Sequence, residues 1–86
     1  SYMEYGPDGS MVERVQKDKF SVTVGDESVL VKGDVSVTIE GSKTVLIKGD
    51  ANITVEGNAD TLVKGTYTLE SEGDMTLKAP RIDLNP

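Results

Sequence analysis

The sequence predicts an all-β fold in which three identical chains wind about one axis on an eight-residue repeat. Three observations predict it. Glycine stands at Gly25, Gly33, Gly41, Gly49, Gly57, Gly65 and Gly73, one every eight residues. Between these glycines apolar and polar residues alternate with period two, which marks strands with one buried face. And 86 residues are too few for such a coil to close on one chain alone.

Composition narrows the chemistry. The length leaves room for one small domain. There is no Cys and no His, so disulfides are excluded and zinc, haem and iron–sulfur centres lose their usual ligands. Nine Lys and Arg stand against fifteen Asp and Glu, a net charge of −6. That balance speaks against neutralising the phosphates of a nucleic acid. It also speaks against attraction to an anionic membrane surface. Apolar runs reach only triplets such as Val29-Leu30-Val31 and Val45-Leu46-Ile47, so no helix spans a bilayer and no signal peptide is expected. The first residue is Ser1, so the chain is expected to be a fragment of a longer protein. Without disulfides or metals, a core this small is expected to rely on oligomerisation.

Residues 1–24 form a lead-in to the repeat. Tyr2 to Tyr5 alternate weakly and read as a strand. Gly6-Pro7-Asp8-Gly9-Ser10 is a dense turn signal. Val12, Val15, Phe20, Val22 and Val24 follow, with Gln16-Lys17-Asp18-Lys19 as a turn or a loose octad.

Residues 25–80 are the octads. Four positions after each glycine stand Val29, Val37, Val45, Ile53, Thr61, Leu69 and Leu77. Six positions after stand Val31, Ile39, Ile47, Val55, Val63, Ser71 and Ala79. Thr61 and Ser71 are the only polar residues in these two rows, and the third position is polar in every octad. Val29, Val31, Val37, Ile39, Val45, Ile47, Ile53, Val55, Val63, Leu69 and Leu77 are therefore the expected core. The glycine marks a corner, where a position free of Cβ clashes suits a sharp bend. Short polar residues such as Asp26, Asp34 and Asp50 follow it and can hold the corner through local hydrogen bonds. The period is eight rather than nine and Gly-Gly is absent, which speaks against a calcium-binding nonapeptide repeat.

The residue before each corner alternates in sign: Lys32, Glu40, Lys48, Glu56, Lys64, Glu72. Two residues earlier, Leu30, Thr38, Leu46, Thr54 and Leu62 alternate in step. Parallel stacking by an odd number of octads sets Lys against Glu. Exposed pairs are individually worth only about 0–1 kcal/mol, so the ladder reads mainly as register control.

Seven octads make about 2.3 turns of a three-sided coil, too few to bury a solenoid core or protect its edges. Three chains wound together pair every strand with octads of the other two. At about 4.8 Å per strand the octads give a stiff rod of roughly 34 Å.

Residues 81–86 end the repeat. Arg81 stands where the next glycine is due, Pro80 and Pro86 interrupt pairing, and Ile82 and Leu84 alternate between them. Ala79, Pro80, Arg81, Ile82, Asp83, Leu84, Asn85 and Pro86 read as a blunt tip.

Val31-Lys32-Gly33-Asp34, Ile47-Lys48-Gly49-Asp50 and Val55-Glu56-Gly57-Asn58 resemble the Val-x-Gly repeat of the central spike proteins of contractile phage tails, relatives of the VgrG proteins of type VI secretion. Tyr5-Gly6-Pro7-Asp8-Gly9-Ser10 resembles the turn between their OB-fold domain and the β-helix, and Arg81-Ile82-Asp83-Leu84 their tip segment. The resemblance covers essentially the whole chain. It implies an intertwined homotrimeric triple-stranded β-helix at the tip of the tail tube, in the virion baseplate. It would act mechanically on the host outer membrane as a rigid needle when the sheath contracts. It implies a baseplate hub or tail tube on the N-terminal side and a PAAR-type cone on the tip. It implies no enzyme activity and no cofactor in these residues. Some relatives carry a His-x-His iron site, which a chain without His lacks.

In that family the second residue after each glycine also points inward. Here those residues are Glu27, Val35, Lys43, Ala51, Ala59, Tyr67 and Met75. Lys43 would thus lie inside with Thr61 and Ser71, the polar residues of the two core rows, where a partly hydrated lumen is favoured over an ion site. Two other functions compete. A receptor-binding tail-fibre segment would need a varied outer surface, whereas the outward positions here are mostly Ser, Thr, Asp, Lys and Glu. A solenoid enzyme would need a singular acid–base pair, whereas these carboxylates repeat octad after octad.

Overall fold

The computed structural model describes residues 2–86, with side chains from residue 6 onward. Strand β1, Tyr2–Tyr5, and strand β2, Met11–Arg14, form a two-stranded antiparallel sheet. Their register sets Tyr2 against Arg14, Met3 against Glu13, Glu4 against Val12 and Tyr5 against Met11. The turn between them follows from its residues. Pro7 presets φ at the second position of a turn closed by the Gly9 N–H donating to the Gly6 carbonyl at 3.1 Å. Gly9 has φ 87°, a left-handed conformation that costs other L-residues about 1–2 kcal/mol. The Gly6 N–H donates to the Ser10 carbonyl and closes the loop from inside.

Beyond residue 14 the backbone keeps time without pairing. It bends at residues 16–17, 24–25, 32–33, 40–41, 48–49, 56–57, 64–65 and 72–73, and again at Pro80. Seven of these bends fall on a corner glycine and the residue before it. The first falls on Gln16 and Lys17, so the eight-residue spacing begins one octad earlier than the glycines do. Pro80 continues the spacing at the position before the missing glycine, which is Arg81.

The chain divides into two units, Ser1–Thr44 and Val45–Pro86. The first holds the hairpin and the bends through 40–41; the second holds the remaining bends and the tip. Among the described residues β1 and β2 are the strands, and none of the described residues is buried. What one chain displays is the bend period and the rows of side chains strung between bends. No helix is long and apolar enough to cross a membrane.

Candidate functional site

The surface with most to explain is the octad region, built from three repeating parts: corners, apolar rows and a charged row. At the corners, no octad glycine has a left-handed φ, and a Cβ added at any of the seven would meet nothing within 4 Å. One chain alone therefore has no use for the missing side chain. Two corners are spanned by side-chain hydrogen bonds. The Thr23 hydroxyl donates to the Glu27 carboxylate at 3.3 Å across residues 24–25, and the Ser71 hydroxyl donates to the Asp74 carbonyl at 3.4 Å across residues 72–73. Among the described residues these bonds involve the flanking positions rather than the side chain directly after the glycine.

The two apolar rows differ. Val31, Ile39, Ile47, Val55 and Val63, just before their corners, are 41–54 % exposed. Val29, Val37, Val45, Ile53, Leu69 and Leu77, in mid-strand, are 61–89 % exposed. The first row leans on the bend of its own chain. The second has far less cover from its own chain. None of these residues is buried against another, so one chain does not bring the expected core together. An open groove of about 360 Å³ lies over Thr61, Leu62, Val63 and Tyr67, and no acid–base pair lines it.

The charged row shows the same incompleteness. Among the described residues ion pairs join Lys19 to Glu13 and Arg81 to Asp83. None joins two of Lys32, Glu40, Lys48, Glu56, Lys64 and Glu72. Strand stacking would be needed to bring these residues within reach.

The two ends are organised locally. At the tip the Arg81 Nε donates to Asp83 Oδ1 at 2.9 Å, and Asn85 adopts φ 53° beside Leu84, where the backbone bends. Ile82 and Leu84 are exposed there. At the other end Asp8 accepts from the Ser10 hydroxyl at 2.7 Å and from the Ser10 N–H at 3.1 Å. The Ser10 hydroxyl, then the Ser10 N–H, then its own N–H hold the Asp8 carboxyl below the usual carboxylate range. Sequence reasoning missed this Asp–x–Ser clasp, although its signal, Asp two residues before Ser in a turn, stands in the sequence. Among the described residues no three carboxylates gather closely enough to hold a metal ion.

The area exposed is the quantity that joins these parts. The chain presents 10020 Å² to solvent. A folded monomer of 9.2 kDa exposes about 4,900 Å², and an unfolded one about 13,300 Å². No protein-family model, no curated protein and no solved structure matches the chain.

Proposed function

We propose that three copies of this chain wind into a triple-stranded β-helix that serves as the membrane-piercing spike at the tip of a contractile tail tube. The observation that carries the reading is the eight-residue repeat of glycine and apolar rows, with backbone bends that keep the same period. Each chain exposes about twice the area of a folded monomer. Three chains of 9.2 kDa packed as one body would expose about 3,700 Å² each, so assembly would cover on the order of 6,000 Å² per chain. The apolar rows, the unpaired charge row and the bends every eight residues supply what such winding needs.

Function follows from mechanics. In the wound state nearly every octad N–H and carbonyl pairs with another copy, and the chains cannot separate without unwinding. A narrow body of this kind transmits axial force without a hinge. Three copies carry a charge of −18, three times −6, which keeps spikes from clumping side by side. Force enters from a hub or tail tube on the N-terminal side and leaves at the blunt tip of residues 79–86. That tip, with Ile82 and Leu84 exposed, is the docking platform for a PAAR-type cone that sharpens the needle.

The test compares the full chain with one ending at Lys78 in binding to a PAAR-type cone protein. The full chain is expected to bind, and the truncated chain to stay trimeric and lose binding. Equal affinity would make residues 79–86 a plug that merely ends the ladder.

A further inference from the structure

Charge in residues 25–80 keeps to one face, with two departures. Glu27 and Lys43 each stand two positions after the glycine that opens their octad. All the remaining Asp, Glu and Lys residues of 25–80 stand one, three, five or seven positions after theirs. An odd count is the face opposite the core rows, which fall at four and six. No bend interrupts 26–31 or 42–47, so side chains alternate through both stretches. Glu27 therefore shares the face of Val29 and Val31, and Lys43 that of Val45 and Ile47. One departure is an acid and the other a base, sixteen residues apart.

The contacts of one chain respect this phase. Across the corner at 24–25 the Thr23 hydroxyl donates to the Glu27 carboxylate at 3.3 Å. Thr23 falls six positions after the bend residue Lys17, so an even count meets an even count. Lys19 falls on the same phase, and Glu13 of its own chain engages it. Among the described residues no ion pair involves Lys43. An ammonium on a face that assembly covers needs a partner, because burying it alone is costly.

Threefold winding supplies one. Each level then holds the same octad of all three copies, and each chain steps one face and one level at every corner. A single face thus carries octad 25–32 of one copy, 33–40 of the next and 41–48 of the third. Glu27 and Lys43 fall in one column of that face, with Val35 between them, two strand spacings or about 9.6 Å apart. The flexible four-carbon stem of a lysine and the shorter stem of a glutamate cover that gap by leaning over Val35. We infer that Glu27 of one copy and Lys43 of another form an ion pair on the inner face of the trimer, three times over. The occupant of the Lys43 face is a second copy of this chain, selected by charge: Glu27 is the one acid of residues 25–80 on that phase. The three acids and three bases cancel, so the inner face carries no net charge from this column. The inference rests on the trimeric reading.

The test is a double-variant cycle on the full chain, read by thermal melting and native mass. Removing one partner of a buried pair leaves the other unpaired, whereas replacing both is often nearly neutral. Glu27→Gln and Lys43→Met are each expected to lower melting by about 10 °C or more. The loss should persist at high salt, because covered charges are screened little. The two substitutions together are expected to melt above either one alone. If a single variant does not assemble, exchanging the charges decides: Glu27→Lys with Lys43→Glu is expected to give a trimer, and its failure overturns the pair. Single variants that melt like the parent, losses that salt restores, or a double variant that melts no higher than the weaker single each overturn the inference and leave the spike reading intact. A parent that is not trimeric by native mass overturns the reading beneath it.

Discussion

Gly9 and Gly49 are both corner glycines, and one chain needs only the first. Gly9 sits at φ 87° in a turn closed by its own backbone, so its conformation is demanded locally. Gly49 has an ordinary φ and open space where its Cβ would be. The same contrast runs through the two regions they belong to. The hairpin of β1 and β2 has a ladder, a closed turn and a carboxylate clasp, all within residues 2–14. The octads have a regular bend that, among the described residues, side-chain hydrogen bonds span at only two corners, 24–25 and 72–73. The first region is specified by neighbours in sequence; under the proposed winding the second would be specified by neighbours that are other copies.

The largest effect should come from charging the mid-strand row. Val45→Asp would place three carboxylates on the axis of the trimer, where burying each unpaired costs several kcal/mol. Sedimentation should then show monomer at micromolar concentration. The amide pattern of the hairpin should persist, because no residue of it is touched. Loss of the hairpin together with the trimer would mean the two regions are not independent.

Substitution of Gly49 by Ala sharpens the contrast between the glycines. Nothing in one chain opposes the added methyl, so under the proposed winding any cost would come from a neighbouring copy, three times over. The trimer should melt several degrees lower. Gly9→Ala should cost about 1–2 kcal/mol per hairpin, read as faster amide exchange in residues 2–14, with little change in trimer melting. If Gly49→Ala leaves melting unchanged, the corner glycines are not close contacts between copies.

Much of this was legible in the sequence, and the reason differs by region. The turn at Gly6–Ser10 rests on local preferences of Pro, Asp and Gly, so the residues announce it. The bend every eight residues was legible because glycine repeats. Its extension to Gln16–Lys17 was legible only as a turn or a loose octad over Gln16–Lys19, because no glycine stands there and the apolar residues shift phase. The pairing of Met11–Arg14 with β1 was also hidden. Its alternation continues into the run that follows, and only the turn geometry assigns it to the hairpin. The Arg81–Asp83 pair at the tip joins residues two apart, on one face of an extended segment, and was readable in principle. Among the described residues no ion pair involves Lys32, Glu40, Lys48, Glu56, Lys64 or Glu72, so local reading locates no partner for them.

Reversing one charge in the row should have a moderate effect. Lys48→Glu would set a new carboxylate between Glu40 and Glu56, three acidic residues in line along each edge. Melting should fall by a few degrees at low salt and recover at high salt, because exposed repulsion is screened. Equal loss at all salt concentrations would show that packing of the lysine stem, and not its charge, is what matters.

The smallest effect concerns Asp8. Its carboxyl is held below the usual range by Ser10, so its contribution is present above the unfolded-state value and is lost as pH falls through the lower folded value. Acidification should loosen the Ser10 amide first while the trimer stays assembled. Asp8→Ala should abolish that pH dependence. A Ser10 amide that ignores pH in the parent chain would remove the clasp from the account of the hairpin.

The central claim is that the octads are completed by other copies, and mass in native buffer tests it most directly. The account predicts a single species of three chains, with no folded monomer populated at micromolar concentration. A folded species with the mass of one chain would contradict it.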